Sequence, residues 1–378
     1  MIYFDYAAAA PVRKEVQKVM FDAGKYFANP SSRHDAGKKA KEVLENSRTK
    51  IKKILNAKEE DKIIFTSSGT ESINLAIKGV AFANQKKGKH IITSKVEHKA
   101  VLETCKFLEG EGFKVTYLKV DQYGRVNPKD VEKAITKKTI LISIMYANNE
   151  VGTIQLIMEI AAIAKKKKVL FHSDACQAGY LNLDVQKLGV DLLTLNSNKI
   201  YGPKGAGLLY VREGVGIQPL IHGGGQEYGL RSGTENIPAV VGFAKALELA
   251  QEEKQKENRR LRELSNYFLT HILKRIPKSY LNGHPTERLP NNAHLSFDGI
   301  EAETVLSYLN QKNIFASAGS ACTANEIEVS HVLKAMNIPE NVARESIRFS
   351  LGKETDKKDI DKVIAVLVQV VSSLRKAF

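Results

Sequence analysis

From Ile63 to about Val211 the sequence alternates short β-rich apolar runs with amphipathic helical runs, each separated by a few polar residues. A chain written this way has few options, because parallel strands need helical crossovers and these bury both faces of the sheet. The strands read as Ile63–Thr66, His90–Ser94, Lys114–Val120, Thr139–Ala147, Val169–Asp174, Asp191–Asn196 and Gly207–Val211. Most are nearly continuous apolar runs, as strands covered on both sides should be. The expectation is an α/β protein with a mainly parallel central sheet, and ligands of such sheets bind beyond the carboxyl ends of the strands.

The remainder reads as a smaller α+β unit. A long helical pattern starts at Pro238 and continues to Pro277, apolar at both ends but nearly all polar from Gln251 to Arg262, as suits a helix bridging two domains. A strand Ala293–Phe297, a helix Glu301–Leu309, a glycine-rich loop around Cys322, a strand Ser346–Ser350 and a terminal helix from Asp359 follow. With 378 residues, about two or three domains are expected. The division reads as a large domain over 15–250 and a small one formed by 1–14 and 251–378.

Charge and cysteine content exclude several classes. Lys and Arg exceed Asp and Glu by 15, an excess that fits a polyanionic partner or simply a lysine-rich surface, since the basic residues are spread throughout; no direct nucleic-acid partner is expected. The run Lys165–Lys168 ends a helical pattern and reads as a solvated helix terminus. Three cysteines, at 105, 176 and 322, are odd in number and far apart, which argues against a disulfide framework or a four-cysteine zinc site and for a reducing, cytoplasmic setting. No apolar run approaches the about 18 residues of a membrane helix, and Asp5 stands where a signal peptide would be basic and then apolar. Ala7–Ala10 reads as a tight local segment.

Three features could converge on the sheet's carboxyl edge. Thr66-Ser67-Ser68-Gly69-Thr70-Glu71-Ser72 follows a strand and opens a helix, a layout that cups a phosphate or simply caps the helix. Asp174 ends a buried strand, where it could hold a cationic ring nitrogen or cap the next segment. Lys199 follows the next strand. A single lysine in so basic a chain is ordinarily surface charge, but above the same edge as an acid and a phosphate cup it has the layout for covalent attachment of pyridoxal phosphate.

Glu97-His98-Lys99-Ala100-Val101, Ala147-Asn148-Asn149-Glu150-Val151-Gly152, Asp174-Ala175-Cys176-Gln177, Lys199-Ile200-Tyr201-Gly202-Pro203-Lys204-Gly205, Gly223-Gly224-Gly225-Gln226-Glu227, Arg231-Ser232-Gly233-Thr234 and Gly319-Ser320-Ala321-Cys322 run in order along essentially the whole chain. Together they resemble the cysteine desulfurases of the NifS/IscS-like branch, within the class V aminotransferase superfamily. The resemblance implies the aspartate-aminotransferase fold (fold type I), with pyridoxal 5′-phosphate bound between the subunits of a homodimer. It implies that Lys199 binds the cofactor and moves the substrate's Cα proton, that Asp174 pairs with the ring nitrogen, and that His98 stacks on the ring as a further catalytic residue. Asn149 and Gln177 resemble residues that bond the ring oxygen. Gly69, Thr70, Asn196 and Asn198 resemble residues that hold the phosphate, Ser197 between them resembles a further cofactor contact, and Thr234 resembles a phosphate contact donated by the neighbouring subunit. Asn29 and Arg348 resemble the pair gripping the substrate carboxylate, for which a guanidinium fork is well shaped. By residue type alone, His98 could equally be a helix N-terminal residue, Arg348 a strand-edge ion pair and Asn149 a turn former.

Cys322 follows the small residues Ala316–Ala321, which predicts a mobile loop and a nucleophilic thiol rather than a buried filler. Cys105 and Cys176 read as packing residues. The implied reaction converts L-cysteine to L-alanine and leaves a persulfide on Cys322 for an iron–sulfur scaffold or another sulfur-acceptor protein, in cluster assembly or tRNA thiolation. Cys322 could also ligate an iron–sulfur cluster transiently. A selenocysteine lyase or another class V enzyme, and a catalytically silent sulfur-relay scaffold, are the alternatives. Cys322 argues against a transaminase, and Lys199 against a silent scaffold. The sequence departs from relatives in Asn196 and Asn198, where Ser and His are usual, in Ala7–Pro11, where a Thr-containing pattern is usual, and in ending at Phe378, short of the tail with which bacterial relatives dock a scaffold.

Overall fold

The computed structural model describes residues 1–319 and 329–377. Strand β1 (Ile2–Tyr3) belongs to the smaller part of the molecule, and the next seven build one sheet: β2 (Lys62–Thr66), β3 (His90–Ser94), β4 (Lys114–Leu118), β5 (Thr139–Ser143), β6 (Leu170–Asp174), β7 (Leu192–Asn196) and β8 (Gly207–Val211). Their order across the sheet is β2-β8-β7-β6-β5-β3-β4. Only β8 runs antiparallel, to both β2 and β7. The link from Asn196 to Gly207 contains just the 3₁₀ turn Ser197–Lys199, too little chain for a crossover, so β8 must return alongside β7. All the other strands therefore end at one edge.

Both faces of this sheet are buried, as the apolar runs demand. Ile63, Phe65, Ile142, Phe171, Leu193 and Leu195 pack with the helix Ile157–Lys167 and the start of Ile237–Arg275 on one face. Ile64, Ile91, Leu141, Leu192 and Leu209 meet the helices Gly69–Asn84 and Lys99–Gly110 on the other. The strand expected to reach Ala147 ends at Ser143, yet the chain beyond it still follows β6. Ile144 N donates to His172 O (3.2 Å) and Tyr146 N to Asp174 O (2.8 Å), which brings Met145 and Ala147 to the carboxyl edge.

A second apolar cluster surrounds the antiparallel sheet of β9 (Ser279–Asn282), β10 (Asn292–Phe297) and β12 (Ser346–Ser350), while β11 (Ile314–Phe315) pairs in parallel with β1. The N-terminal segment goes on to bond β12, with Ser350 N donating to Phe4 O at 2.7 Å. Phe4 and Phe349 both stack edge-on against Phe268. The 39-residue helix Ile237–Arg275, capped by Asn236, supplies Phe243 and Leu247 to the first cluster and Phe268 and Ile272 to this one. Among the described residues, no helix is long and apolar enough to cross a membrane.

Candidate active site

Four strands of the main sheet, β2, β5, β6 and β7, together with the start of the helix after β3, deliver residues to one cavity of about 360 Å³ at the carboxyl edge. Gly69, Thr70 and Ile73 come from the helix after β2, and His98 precedes the helix after β3. Met145, Ala147 and Asn149 follow β5, Asp174, Cys176 and Gln177 end and follow β6, and Asn196, Asn198 and Lys199 end and follow β7. Arg348 enters from β12, and Ala7 and Ala8 from the segment after β1.

The helix start is well built. Ser68 is extended and its Oγ accepts from Glu71 N, while Thr66 Oγ1 bonds Ser72 Oγ at 2.7 Å, so the hydroxyls are engaged in forming the turn. Gly69 is required by space: a Cβ there would stand 2.6 Å from Cys176 Sγ. Thr70 remains exposed at the cavity rim.

Asp174 is buried, and its Oδ1 accepts from Cys176 N at 2.9 Å. Burial and the Asp174 carboxylate together push the Cys176 thiol far above its usual range, so it stays protonated beside the cavity. Cys105 lies on the buried face of the helix Lys99–Gly110 and is pushed up to about 12, by burial first. Behind Asp174, His172 bonds Ser143 Oγ through Nδ1 and Thr194 Oγ1 through Nε2 and is held neutral, pushed down to about 4 by burial. Lys199 Nζ donates to Ala7 O (2.9 Å) and Ala8 O, and Gln177 Nε2 donates to the same Ala7 carbonyl at 3.0 Å. His98 accepts Ala100 N on Nδ1 (3.1 Å), acting as the helix N-cap, and lines the cavity as well.

Arg348 lines the cavity, donates Nη1 to Asn149 O (3.0 Å) and forms an ion pair with Asp5 (Nη2 to Oδ1, 2.7 Å), while its buried Nε has no partner among the described residues. Ser197 is buried outside the cavity, its Oγ against Gly202. Asn29 and Thr234 are exposed and do not line the cavity of their own chain. Cys322 lies outside the described residues.

Several participants escaped the sequence reading. Ala7 and Ala8 supply the carbonyls that receive Lys199; four consecutive small residues were the available signal, since only small side chains let backbone come so close. Asp5 meets Arg348 from the other end of the chain. Glu97, beside His98, is fully buried and pushed up to about 8 by burial, while its carboxylate accepts Ser94 Oγ (2.6 Å) and the N–H of the cavity residue Met145 (2.9 Å).

The sequence model of the class-V aminotransferases matches residues 2–363. The chain is 52% identical to cysteine desulfurase IscS of Methanosarcina thermophila, over 99% of this chain and 93% of that one, and 52% identical to that of Dictyoglomus turgidum, over 99% and 95%. A solved NifS-like protein superposes with a TM-score of 0.92 at 38% identity, over 98% of this chain and 99% of that one. The chain belongs to the cysteine desulfurase family of class-V aminotransferases. The cofactor of this family is pyridoxal 5′-phosphate, and the cavity suits such a group. A buried carboxylate and a lysine enter from neighbouring strands, a helix N-terminus opens beside a glycine that a Cβ would jam, and Asn198 Oδ1 is buried with no partner among the described residues.

Proposed function

We propose that this protein is a pyridoxal-phosphate cysteine desulfurase that removes sulfur from L-cysteine and releases L-alanine. The observation that carries the reading is the convergence of Lys199, Asp174 and the Gly69–Thr70 helix start on one cavity. Lys199 Nζ would hold the cofactor and would serve as the base that takes the Cα proton of cysteine. Bound there, pyridoxal phosphate supplies an electron sink for the pair left when that C–H bond breaks. The Asp174 carboxylate would keep a proton on the ring nitrogen, His98 would cover the ring, and Gln177 and Asn149 would orient its oxygen. Gly69, Thr70, Asn196 and Asn198 would form the phosphate site with Thr234 of a second copy, and Arg348 with Asn29 would receive the substrate carboxylate. The Cys322 thiolate then attacks the substrate sulfur. A new S–S bond forms on Cys322 and the substrate C–S bond breaks, its electron pair returning to the carbon skeleton that leaves as alanine.

In this reading the chain acts as a homodimer in the cytoplasm, built from the domains 15–250 and 1–14 with 251–378. It passes persulfide sulfur to a scaffold or other acceptor protein, with Cys322 as a transient iron–sulfur ligand where clusters form. The test is direct. The purified protein should be yellow, borohydride should fix the pyridoxyl group on Lys199, and incubation with cysteine should add sulfur to Cys322 by mass spectrometry. Lys199→Ala and Cys322→Ser should each stop alanine release. Normal turnover in Lys199→Ala would overturn the mechanism, and a persulfide on Cys176 would move the nucleophile.

A further inference from the structure

The 223–234 loop is held more firmly than a surface connection requires. Glu227 and Tyr228 lie in the left-handed region at φ 49° and 60°, a conformation that non-glycine residues keep only where their surroundings impose it. Here they do. Arg48 grips the buried Glu227 carboxylate with both Nη atoms at 2.8 Å, Phe65 N donates to the same carboxylate at 2.8 Å, and the guanidinium lies over the Phe65 and Tyr228 rings. The loop also closes on itself, through Gly225 N to Ser232 Oγ and Gly233 N to Gln226 Oε1.

What this rigid loop presents is Arg231. Its Nε donates to Glu71 Oε1 at 2.8 Å and its Nη2 to Oε2 at 3.4 Å. Glu71 stands in the first turn of the helix Gly69–Asn84, and its carboxylate also accepts Ser67 N at 2.8 Å. Burial alone would raise its pKa, but the Arg231 and Ser67 bonds outweigh burial and keep the group ionised. An acid in the first turn favours a helix, yet a bare carboxylate beside a helix start that must receive a phosphate dianion repels it. The loop therefore places a cation where it cancels that charge.

We propose that Arg231 is a positioning residue for the cofactor phosphate: paired with Glu71, it neutralises the carboxylate and holds it on Ser67, leaving the helix start to the anion. The proposal rests on the reading of the Gly69–Thr70 helix start as the phosphate site. It is tested by titrating cofactor-free protein with pyridoxal 5′-phosphate and with pyridoxal, which lacks the phosphate. Arg231→Met should weaken the phosphorylated ligand about tenfold and leave pyridoxal within about twofold, because the lost interaction acts on the phosphate charge. Adding Glu71→Gln should bring the phosphorylated ligand back to within about threefold of the parent, as a double-mutant cycle for a charge-cancelling pair requires. Arg231→Lys, which keeps the charge, should also stay within about threefold. Equal weakening of both ligands by Arg231→Met, or a double variant no tighter than the single one, would overturn the proposal. A parent protein that binds both ligands equally would refute the phosphate reading itself, a result that needs no variant and is thereby told apart.

Discussion

At the scale of single residues, the cavity is set by close approach as much as by functional groups. The Cβ that Gly69 lacks would stand 2.6 Å from Cys176 Sγ. Gly69→Ala should therefore cost about 1–3 kcal/mol through overpacking, lowering the melting temperature and loosening the cofactor together. Cys176→Ala removes the obstructing sulfur and should restore part of both; thermal melts and cofactor titrations of the two single variants and the double one check this. No restoration would mean that the helix start, not the thiol, refuses the extra carbon. Residue chemistry was legible where it ends or follows a strand: Asp174 ends β6 and Lys199 closes the turn after β7, so pattern alone puts them at the ligand edge. Asp5 was not legible, because its partner Arg348 is 343 residues away and only the pairing of the N-terminal segment with β12 joins them.

Among the elements, the parallel strands were readable because burial on both faces writes them as unbroken apolar runs, whereas the small sheets were harder. Strands β1 and β11 span two residues each and pair across the length of the chain, so no local period announces them. The reversal of β8 depends on link length rather than on the strand's own sequence. The central strand β6 buries an imidazole, His172, with each ring nitrogen bonded to a hydroxyl of a neighbouring strand. Burial lowers its pKa to about 4, against about 6.5 in an unfolded chain. Between those values the unfolded state binds the extra proton, so this residue's contribution to stability falls as pH drops from about 6.5 to 4, by about 3 kcal/mol in all. Denaturation midpoints measured across that range should fall toward acid. His172→Asn, less stable at pH 7, should show a flatter acid limb. An unchanged slope would place the acid sensitivity elsewhere.

For the whole molecule, the decisive feature is what one chain's cavity lacks. It gathers a lysine, an aspartate, an arginine and a helix start, but Thr234 lies exposed on the 223–234 loop, which also presents the half-exposed Tyr228 and is preceded by the half-exposed Ile221. If that loop completes the phosphate site of a second copy, each site is made of two chains and two defective chains can make one good site. Lys199→Ala and Thr234→Val homodimers should both be impaired, the first in chemistry and the second in cofactor retention. Co-expressed under separate tags and purified as the mixed dimer, they should regain one intact site: Lys199 from the Thr234→Val chain together with Thr234 from the Lys199→Ala chain. Alanine release should then approach half the parental rate per dimer, with one tightly held cofactor, because the other site carries both lesions. Light scattering supplies the dimer mass, and borohydride labelling counts the occupied lysines. A mixed dimer no better than its parents, or a monomer with full activity, would show that Thr234 serves its own chain, and the shared-site architecture would have to be given up.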